Sequence, residues 1–221
     1  MKRIFLLTAV AAMIMGCVNG QSKSGDNAMA KLPAVKPGEA VATFGGGCFW
    51  AMNEAMSELK GVDEVISGYA GGTTKNPTYE EVCTRTTNHA ETVQVYYDPK
   101  VISYEKLAEA FFYAHNPTEL NYQGPDEGTD YRSVVFYRTP EEKATIMDLI
   151  KRINGTKHYG NSPIVTQVVP FTVFYPAEKY HQNYYKLHLD DNPYLREVSL
   201  PKVEKMRAME KSQLKPEFQK M

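Results

Sequence analysis

Cysteine is rare in this chain of 221 residues, which has three copies, and none of them follows Cys83. A marked excess of one charge sign is also missing, because 25 lysines and arginines nearly balance 26 aspartates and glutamates. This balance excludes a general electrostatic attraction to nucleic acid, so we expect no nucleic-acid partner. The histidines His89, His115 and His181 lack the spacing of metal ligands, and we expect no metal site.

A hydrophobic run long enough to span a bilayer comfortably is missing as well. The apolar stretch from Ile4 to Met15 follows Lys2 and Arg3, a pattern typical of signal peptides. It ends in Ile-Met-Gly-Cys17, which resembles a lipobox. This predicts a lipoprotein-type signal peptide over residues 1–17, a lipidated Cys17, and an exported domain. The lipid would anchor that domain to a membrane surface, in the periplasm or on the cell surface of a bacterium. An ordinary secretory signal with an incidental cysteine, or an uncleaved anchor, remain alternatives.

The rest of the chain divides by composition. Residues 18–40 are polar and lack apolar periodicity, which predicts a flexible tether. Residues 41–200 mix strand and helix patterns, and residues 201–221 form a charged tail that is helical or frayed. Strands are predicted over 41–45, 62–69, 92–97, 133–137, 164–169 and 171–175, and helices over 52–59, after Ser103, from Pro140 to Gly155 and over 177–188. These elements favour an α+β fold, a two-layer sandwich with helices packed on a mixed, mostly antiparallel sheet with a ferredoxin-like core.

The segment Gly-Gly-Gly-Cys48-Phe49-Trp50 is the strongest chemical signal. A cysteine in the first turn of a helix meets the positive end of the helix dipole and unpaired N–H groups, which lower its pKa. The preceding glycines allow a sharp turn from strand to helix and leave room for a substrate. This pattern predicts a nucleophile at Cys48. A buried cysteine that only packs at a strand–helix junction is the alternative.

Further motifs follow in a fixed order: Gly68-Tyr-Ala-Gly-Gly72, Asn76-Pro-Thr-Tyr-Glu-Glu-Val-Cys83, His89-Ala-Glu91, Gly124-Pro-Asp-Glu-Gly-Thr-Asp-Tyr-Arg-Ser133 and His181-Gln-Asn-Tyr184. Together with Gly46-Gly-Cys-Phe-Trp50, they resemble the motifs of the peptide methionine sulfoxide reductase A family from about Val41 to Tyr194. The resemblance implies reduction of the S epimer of methionine sulfoxide, free or in oxidised proteins, with a sulfenic acid left on the nucleophile.

Roles for individual residues come from the same resemblance. It implies that Cys48 is the nucleophile and that Glu91 is the acid, with a pKa raised by its apolar surroundings. Tyr79 and Tyr131 match positions whose hydroxyls bind the sulfoxide oxygen. Phe49 and Trp50 match the pocket for the S-methyl group, and Asp126 matches a residue that lines the site.

The sequence departs from the family pattern at three places. Asp130 stands where glutamine is usual, Ala51 follows the tryptophan where glycine or cysteine often occurs, and the tail has no resolving cysteine. We therefore expect no bound cofactor but an external thiol reductant, either a thioredoxin-like protein or a small dithiol. Resolution by Cys83 is the alternative. The expected partners are this reductant and oxidised substrates, and the expected state is a monomer.

Two other functions remain open from the sequence. A cysteine hydrolase or acyltransferase would pair Cys48 with a histidine such as His89 or His181. An exported lipoprotein that binds methionine-rich partners without turnover is the non-enzymatic reading.

Overall fold

The computed structural model describes residues 27–220. The predicted signal peptide and Cys17 lie outside this range, as do residues 18–26 of the predicted tether. The strands are β1 (Ala40–Gly45), β2 (Val62–Ala70), β3 (Ala90–Tyr97), β4 (Tyr122–Gln123), β5 (Asp126–Glu127), β6 (Val134–Tyr137), β7 (Gln167–Pro170) and β8 (Phe174–Pro176). The helices are α1 (Phe49–Ser57), α2 (Tyr79–Cys83), α3 (Tyr104–Tyr113), α4 (Pro140–Thr156), α5 (Tyr184–His188) and α6 (Leu200–Met209).

A mixed six-stranded sheet forms the centre of the fold. Its strand order is β7-β6-β1-β3-β2-β8, and every neighbouring pair is antiparallel except β6 with β7. The two short strands β4 and β5 form a separate hairpin. The α+β class and the mixed, mostly antiparallel sheet predicted from the sequence are confirmed.

The larger core lies between the helices and one face of this sheet. Alternate residues of β3, Val93, Val95 and Tyr97, point into that core with side chains of β1, α1 and α3. A smaller apolar cluster around Phe136 and Phe174 covers the opposite face. Glu91 has the same parity along β3 as Val93, so the strand alternation directs its side chain toward the helices.

Both ends of the described chain differ from the prediction. The expected tether already pairs with the domain, since Ala30 N donates to Ala177 O over 2.9 Å and Lys179 N donates to Ala28 O over 2.9 Å. The expected charged tail contributes to the core, where α6 buries Val203 and Met206. The buried apolar residues of α6 lie three apart among charged residues, so no apolar periodicity was recognised there from the sequence. Within residues 27–220, no helix is both long enough and apolar enough to cross a bilayer.

The predicted helix over 177–188 is broken in the structure. Asn183 adopts a left-handed conformation with φ of 54°, so only the short helix α5 follows it. At the end of α4, the helix continues through Gly155, and Lys157 takes the left-handed cap position with φ of 54°. Both differences depend on single left-handed residues that are not glycine.

Candidate active site

Cys48 lies at the point where β1 passes into α1. Gly47 takes a φ of +83°, which a side chain would strain, and Cys48 then becomes the residue immediately before the helix. A Cβ at Gly45 would come within 2.9 Å of the Glu91 carbonyl oxygen, so β1 and β3 approach closely here. The Cys48 side chain does not cap the helix, but the nearby Trp50 backbone N–H lowers the pKa of its thiol. The sharp turn expected from the glycines therefore presents Cys48 to the start of α1.

Glu91 binds the same helix start. Its Oε2 accepts a hydrogen bond of 2.9 Å from the backbone N–H of Phe49, and the residue is 3% exposed. The start of α1 thus brings the Glu91 carboxyl group next to the residue that carries the thiol. Strand β3 supplies one partner and the β1–α1 turn supplies the other.

The pKa of Glu91 is raised well above its ordinary value. Burial is the main cause, nearby Asp130 and Asp126 add to it, and the Phe49 N–H and the Lys202 ammonium oppose it. The raised pKa agrees with the sequence prediction. Burial therefore favours the protonated, neutral form of the Glu91 carboxyl group.

The pKa of the Cys48 thiol differs from the prediction. It is raised, first by burial and then by Glu91 and Asp126, while the Trp50 N–H and Lys202 lower it. The helix start acts in the predicted direction, but burial beside two carboxyl groups outweighs it. The resting group at neutral pH is a thiol. A neutral Glu91 lowers the cost of forming the thiolate, because two buried negative charges would repel each other.

Aromatic rings form one wall beside Cys48. The Trp50 ring stacks on Tyr184 with centroids 4.0 Å apart, and its Nε1 donates to His181 Nδ1 over 3.1 Å. The His181 ring lies 4.9 Å from Phe49 and 4.5 Å from Tyr79. Three predicted site residues therefore meet around His181, a residue to which the sequence assigned no role.

Tyr79 and Tyr131 are placed by two short turns. Helix α2 begins at Tyr79, whose backbone N–H donates to Glu178 Oε1 over 2.9 Å, and Thr78 closes a capping box with Glu81. Tyr131 ends a 3-10 turn, and its pKa is raised first by Glu91, then by burial and by Cys48. The Tyr131 hydroxyl therefore belongs to the Cys48–Glu91 site.

Asp126 forms a polar cluster with Tyr194 and Lys202. The Tyr194 hydroxyl donates to Asp126 Oδ2 over 2.7 Å and shares a hydrogen bond with Cys48 Sγ. Lys202 Nζ lies 3.6 Å from the same Asp126 oxygen. A thiol, a neutral carboxylic acid, phenol hydroxyls and an aromatic wall can together bind and protonate a small polar group with an apolar substituent.

Comparison with known proteins agrees with this geometry. The family model described as peptide methionine sulfoxide reductase matches residues 40–215. The chain belongs to this family. A relative named peptide methionine sulfoxide reductase MsrA from Polynucleobacter asymbioticus is 46% identical over 177 residues, which cover 80% of this chain and 92% of the relative. Another of that name, from Haloquadratum walsbyi, is 51% identical over 75% of this chain and 93% of the relative.

Solved structures of the family share the fold. Methionine sulfoxide reductase A of Corynebacterium diphtheriae superposes with a TM-score of 0.67 at 33% identity, over 72% of this chain and 80% of its own. Mxr1 from Saccharomyces cerevisiae in reduced form gives 0.67 at 32% identity, over 72% and 91%. The resemblance read from the motifs is thereby confirmed at the level of the family.

The hydrolase alternative finds no support at the two histidines in question. His89 uses both ring nitrogens elsewhere, with Gly72 N and Thr74 O as partners. His181 accepts from Trp50 at Nδ1, and burial lowers its pKa to about 3, so the neutral ring carries its proton on Nε2. Neither ring is arranged to take a proton from Cys48.

The structure gathers every predicted site residue within residues 27–220 of this reductase family member. It also adds residues that sequence reasoning missed: Glu178, His181, Tyr184, Tyr194 and Lys202. Glu178 is 4% exposed and holds both Tyr69 OH and the start of α2, a contact between distant segments that local pattern does not reveal. Among residues 27–220, no group of three or more potential ligand side chains is placed to hold a metal ion.

Proposed function

We propose that this chain reduces the S epimer of methionine sulfoxide, free or in proteins, and so repairs oxidised proteins. The observation that carries the proposal is that Cys48 directly precedes the helix start whose Phe49 N–H binds Glu91, a carboxyl group whose pKa is raised by burial. The names of the relatives support the same activity. The preference for the S epimer follows from the A type of reductase that those names give.

The chemistry needs a nucleophile for sulfur and a proton for oxygen. The Cys48 sulfur, as its thiolate, attacks the sulfoxide sulfur while Glu91 donates its proton to the sulfoxide oxygen. This attack forms a bond between Cys48 Sγ and the substrate sulfur. The hydroxyl group then passes from the substrate sulfur to Cys48 Sγ as the substrate S–O bond and the Sγ–S bond break, so methionine leaves and Cys48 carries a sulfenic acid. The cysteine sulfur loses two electrons and the substrate sulfur gains them. The proton of the thiol restores Glu91, so the step balances.

The binding roles that the resemblance implies are part of the proposal, and the positions of the side chains support them. The rings of Phe49 and Trp50 would take the S-methyl group, and the hydroxyls of Tyr79 and Tyr131 would bind the sulfoxide oxygen. Asp126 holds Tyr194, which in turn contacts the nucleophile. These assignments fit a substrate with one polar atom and one small apolar group.

The test is a stereospecific assay of the wild type and of Cys48→Ser. Each sulfoxide epimer is offered separately with dithiothreitol or with a thioredoxin system, and methionine is quantified. We expect rapid reduction of the S epimer, little of the R epimer, and no activity in the variant with an unchanged circular dichroism spectrum. Comparable rates on both epimers, or turnover by Cys48→Ser, would contradict the proposal.

We also propose that an external thiol recycles the enzyme. Apart from Cys48, residues 27–220 contain only Cys83, which lies in α2 and is not in a disulfide. Two reductant thiols would return Cys48 to the thiol and leave as a disulfide, with loss of water. Without reductant, each chain should release one methionine and carry one sulfenic acid that dimedone traps. Cys83→Ser should keep most activity. A Cys48–Cys83 disulfide in most molecules after one turnover would contradict external recycling.

The location of the enzyme is a further part of the proposal. A lipid on Cys17 would hold the domain at a membrane surface outside the cytoplasm, as a monomer. The signal-like start and the Gly16-Cys17 step support this. Mass spectrometry of the mature N-terminus tests it, and an unmodified cysteine would count against it.

A ferredoxin-like core is the finer description that we propose for the fold. In the order β6-β1-β3-β2 every neighbouring pair of strands is antiparallel. Along the chain, α1 lies between β1 and β2, and α3 lies between β3 and β6. This order supports the label.

A further inference from the structure

The C-terminal helix α6 brings a lysine to the nucleophile. Residues after Tyr194 contain no cysteine and run through a π-helical segment, Leu195–Ser199, directly into α6. Val203 and Met206 bury one face of α6, and Arg207 makes two hydrogen bonds of 2.8 and 2.6 Å to Glu58. Because the helix is fixed on both sides, Lys202 has a defined position rather than that of a mobile surface side chain.

The Lys202 ammonium lies buried against the turn that precedes Cys48. A Cβ placed on Gly47 would be 3.7 Å from Lys202 Nζ. The Lys202 side chain is 17% exposed, its Nζ is inaccessible, and it has no hydrogen-bond acceptor among residues 27–220. Its closest counter-charge is the Asp126 carboxylate at 3.6 Å. A desolvated ammonium with unused N–H donors is costly unless an anion shares the site.

The charge of Lys202 acts on both reacting groups. It lowers the pKa of Cys48 and of Glu91, against the effects of burial and of the neighbouring carboxyl groups. Cys48 becomes anionic before attack on sulfur, and its oxidised form can ionise to a sulfenate. Each of these anions would supply the partner that the Lys202 N–H groups lack.

Resting on the proposed function, we propose that Lys202 is a positioning residue of this site that electrostatically stabilises the anionic forms of Cys48, the attacking thiolate and the remaining sulfenate. In this chain, the segment beyond Tyr194 thus contributes a cation to the site, where other members carry resolving cysteines. An ordinary ion pair between Lys202 and Asp126, with no effect on Cys48, is the competing explanation.

The test measures the reactivity of Cys48 without any sulfoxide, so its outcome is independent of the proposed reaction. Iodoacetamide labelling of Cys48 is followed by peptide mass spectrometry across a pH series in the full chain. The variants are Lys202→Met, Lys202→Arg and, as a matched control for net charge, Lys211→Met at an exposed position. Circular dichroism and the urea midpoint check that each variant folds.

We expect Lys202→Met to label roughly three- to tenfold more slowly near neutral pH, with its rate profile shifted to higher pH. Lys202→Arg should restore the profile, and Lys211→Met should match the wild type. Asp126→Asn keeps Lys202 and removes a carboxylate, so labelling should become faster. The proposal is overturned if Lys202→Met labels as fast as the wild type or faster, or if Lys202→Arg is as slow as Lys202→Met.

Discussion

At the scale of single residues, the site depends on two buried acids at one helix start. Cys48 and Glu91 each ionise with difficulty because burial penalises the charge, and Glu91 further raises the pKa of Cys48. A thiolate beside a neutral carboxylic acid is the state that can attack sulfur and protonate oxygen. The sequence singled out both residues, but it could not predict the direction of the thiol's pKa shift, which depends on burial, on Glu91 and on Asp126 from a distant hairpin.

Replacing Glu91 by glutamine should separate these two roles. The amide oxygen can still accept from Phe49 N, so the fold of the turn should survive, but the side chain no longer supplies a proton. We expect the single-turnover rate of sulfoxide reduction to fall on the order of 10²–10⁴-fold. Iodoacetamide should still label Cys48. Rapid-quench measurement of methionine release is the readout, and an unchanged rate would remove Glu91 from the mechanism.

Asp130 should influence the pKa of Glu91, although it contacts neither the Cys48 thiol nor the aromatic rings of the site. This departure from the family's usual glutamine is 3% exposed, lies 3.2 Å from Arg85 and raises the pKa of Glu91. In Asp130→Asn, the Glu91 pKa should fall. The alkaline limb of the single-turnover pH profile should then move to lower pH. The exposed Asp148→Asn is the matched control. A limb that stays in place, or moves upward, would contradict this role.

At the scale of elements, α6 is fixed to α1 by a buried ion pair. Glu58 is fully buried, and Arg207 binds both of its oxygens. This contact joins the end of the first helix to a segment that the sequence marked as a charged tail, helical or frayed. The strands of the main sheet and the helices α1, α3 and α4 were predictable from local periodicity, and α3 and α4 also from their caps, whereas β4 and β5 were not predicted.

Some of the other elements carried a sequence signal that was not recognised. The rest could be identified only from tertiary contacts. Thr78 and Glu81 have the spacing of a capping box and could have revealed α2. The break at Asn183 could not be read from periodicity, since the left-handed residue is held by the surrounding chain. The docking of Lys202 is also set by the packing of α6 against α1.

Removing Arg207 should loosen α6 and leave a buried carboxylate unpaired. We expect Arg207→Met to lower the free energy of unfolding by about 3 kcal/mol. The double variant Glu58→Gln with Arg207→Met should recover part of that loss, because no buried charge remains. Urea unfolding followed by fluorescence measures both. Equal stability of Arg207→Met and the wild type would show that the pair does not hold the helix.

At the scale of the whole molecule, buried titratable groups should set how stability depends on pH. Burial raises the pKa of Glu54 and of Glu210 to about 7, each from an ordinary value of 4.5, and raises that of Glu91 well above it. Burial also lowers the pKa of His115 and His181 from 6.5 to about 3. These two sets act in opposite directions on the proton balance between the folded and unfolded states.

The carboxyl groups stabilise the fold fully below pH 4.5, and their contribution is lost as pH rises through about 7, since the unfolded chain releases those protons first. The histidines contribute fully above pH 6.5, and their contribution is lost as pH falls toward about 3. Between about pH 4.5 and 6.5 the two trends oppose each other, and the three carboxyl groups outweigh the two histidines. We therefore expect stability to be highest near about pH 4.5, with losses on the order of a few kcal/mol toward about pH 7.5 and about pH 3.

Glu210 offers a direct check of the alkaline loss, because it lies at the end of α6, where burial and Glu109 raise its pKa. In Glu210→Gln the group no longer titrates, so the decrease in unfolding free energy from about pH 5.5 to about pH 7.5 should become smaller. The exposed Glu217→Gln should leave that decrease unchanged. Urea unfolding of both variants at the two pH values gives the comparison. An equal decrease in Glu210→Gln and the wild type would show that Glu210 does not hold its proton in the folded protein.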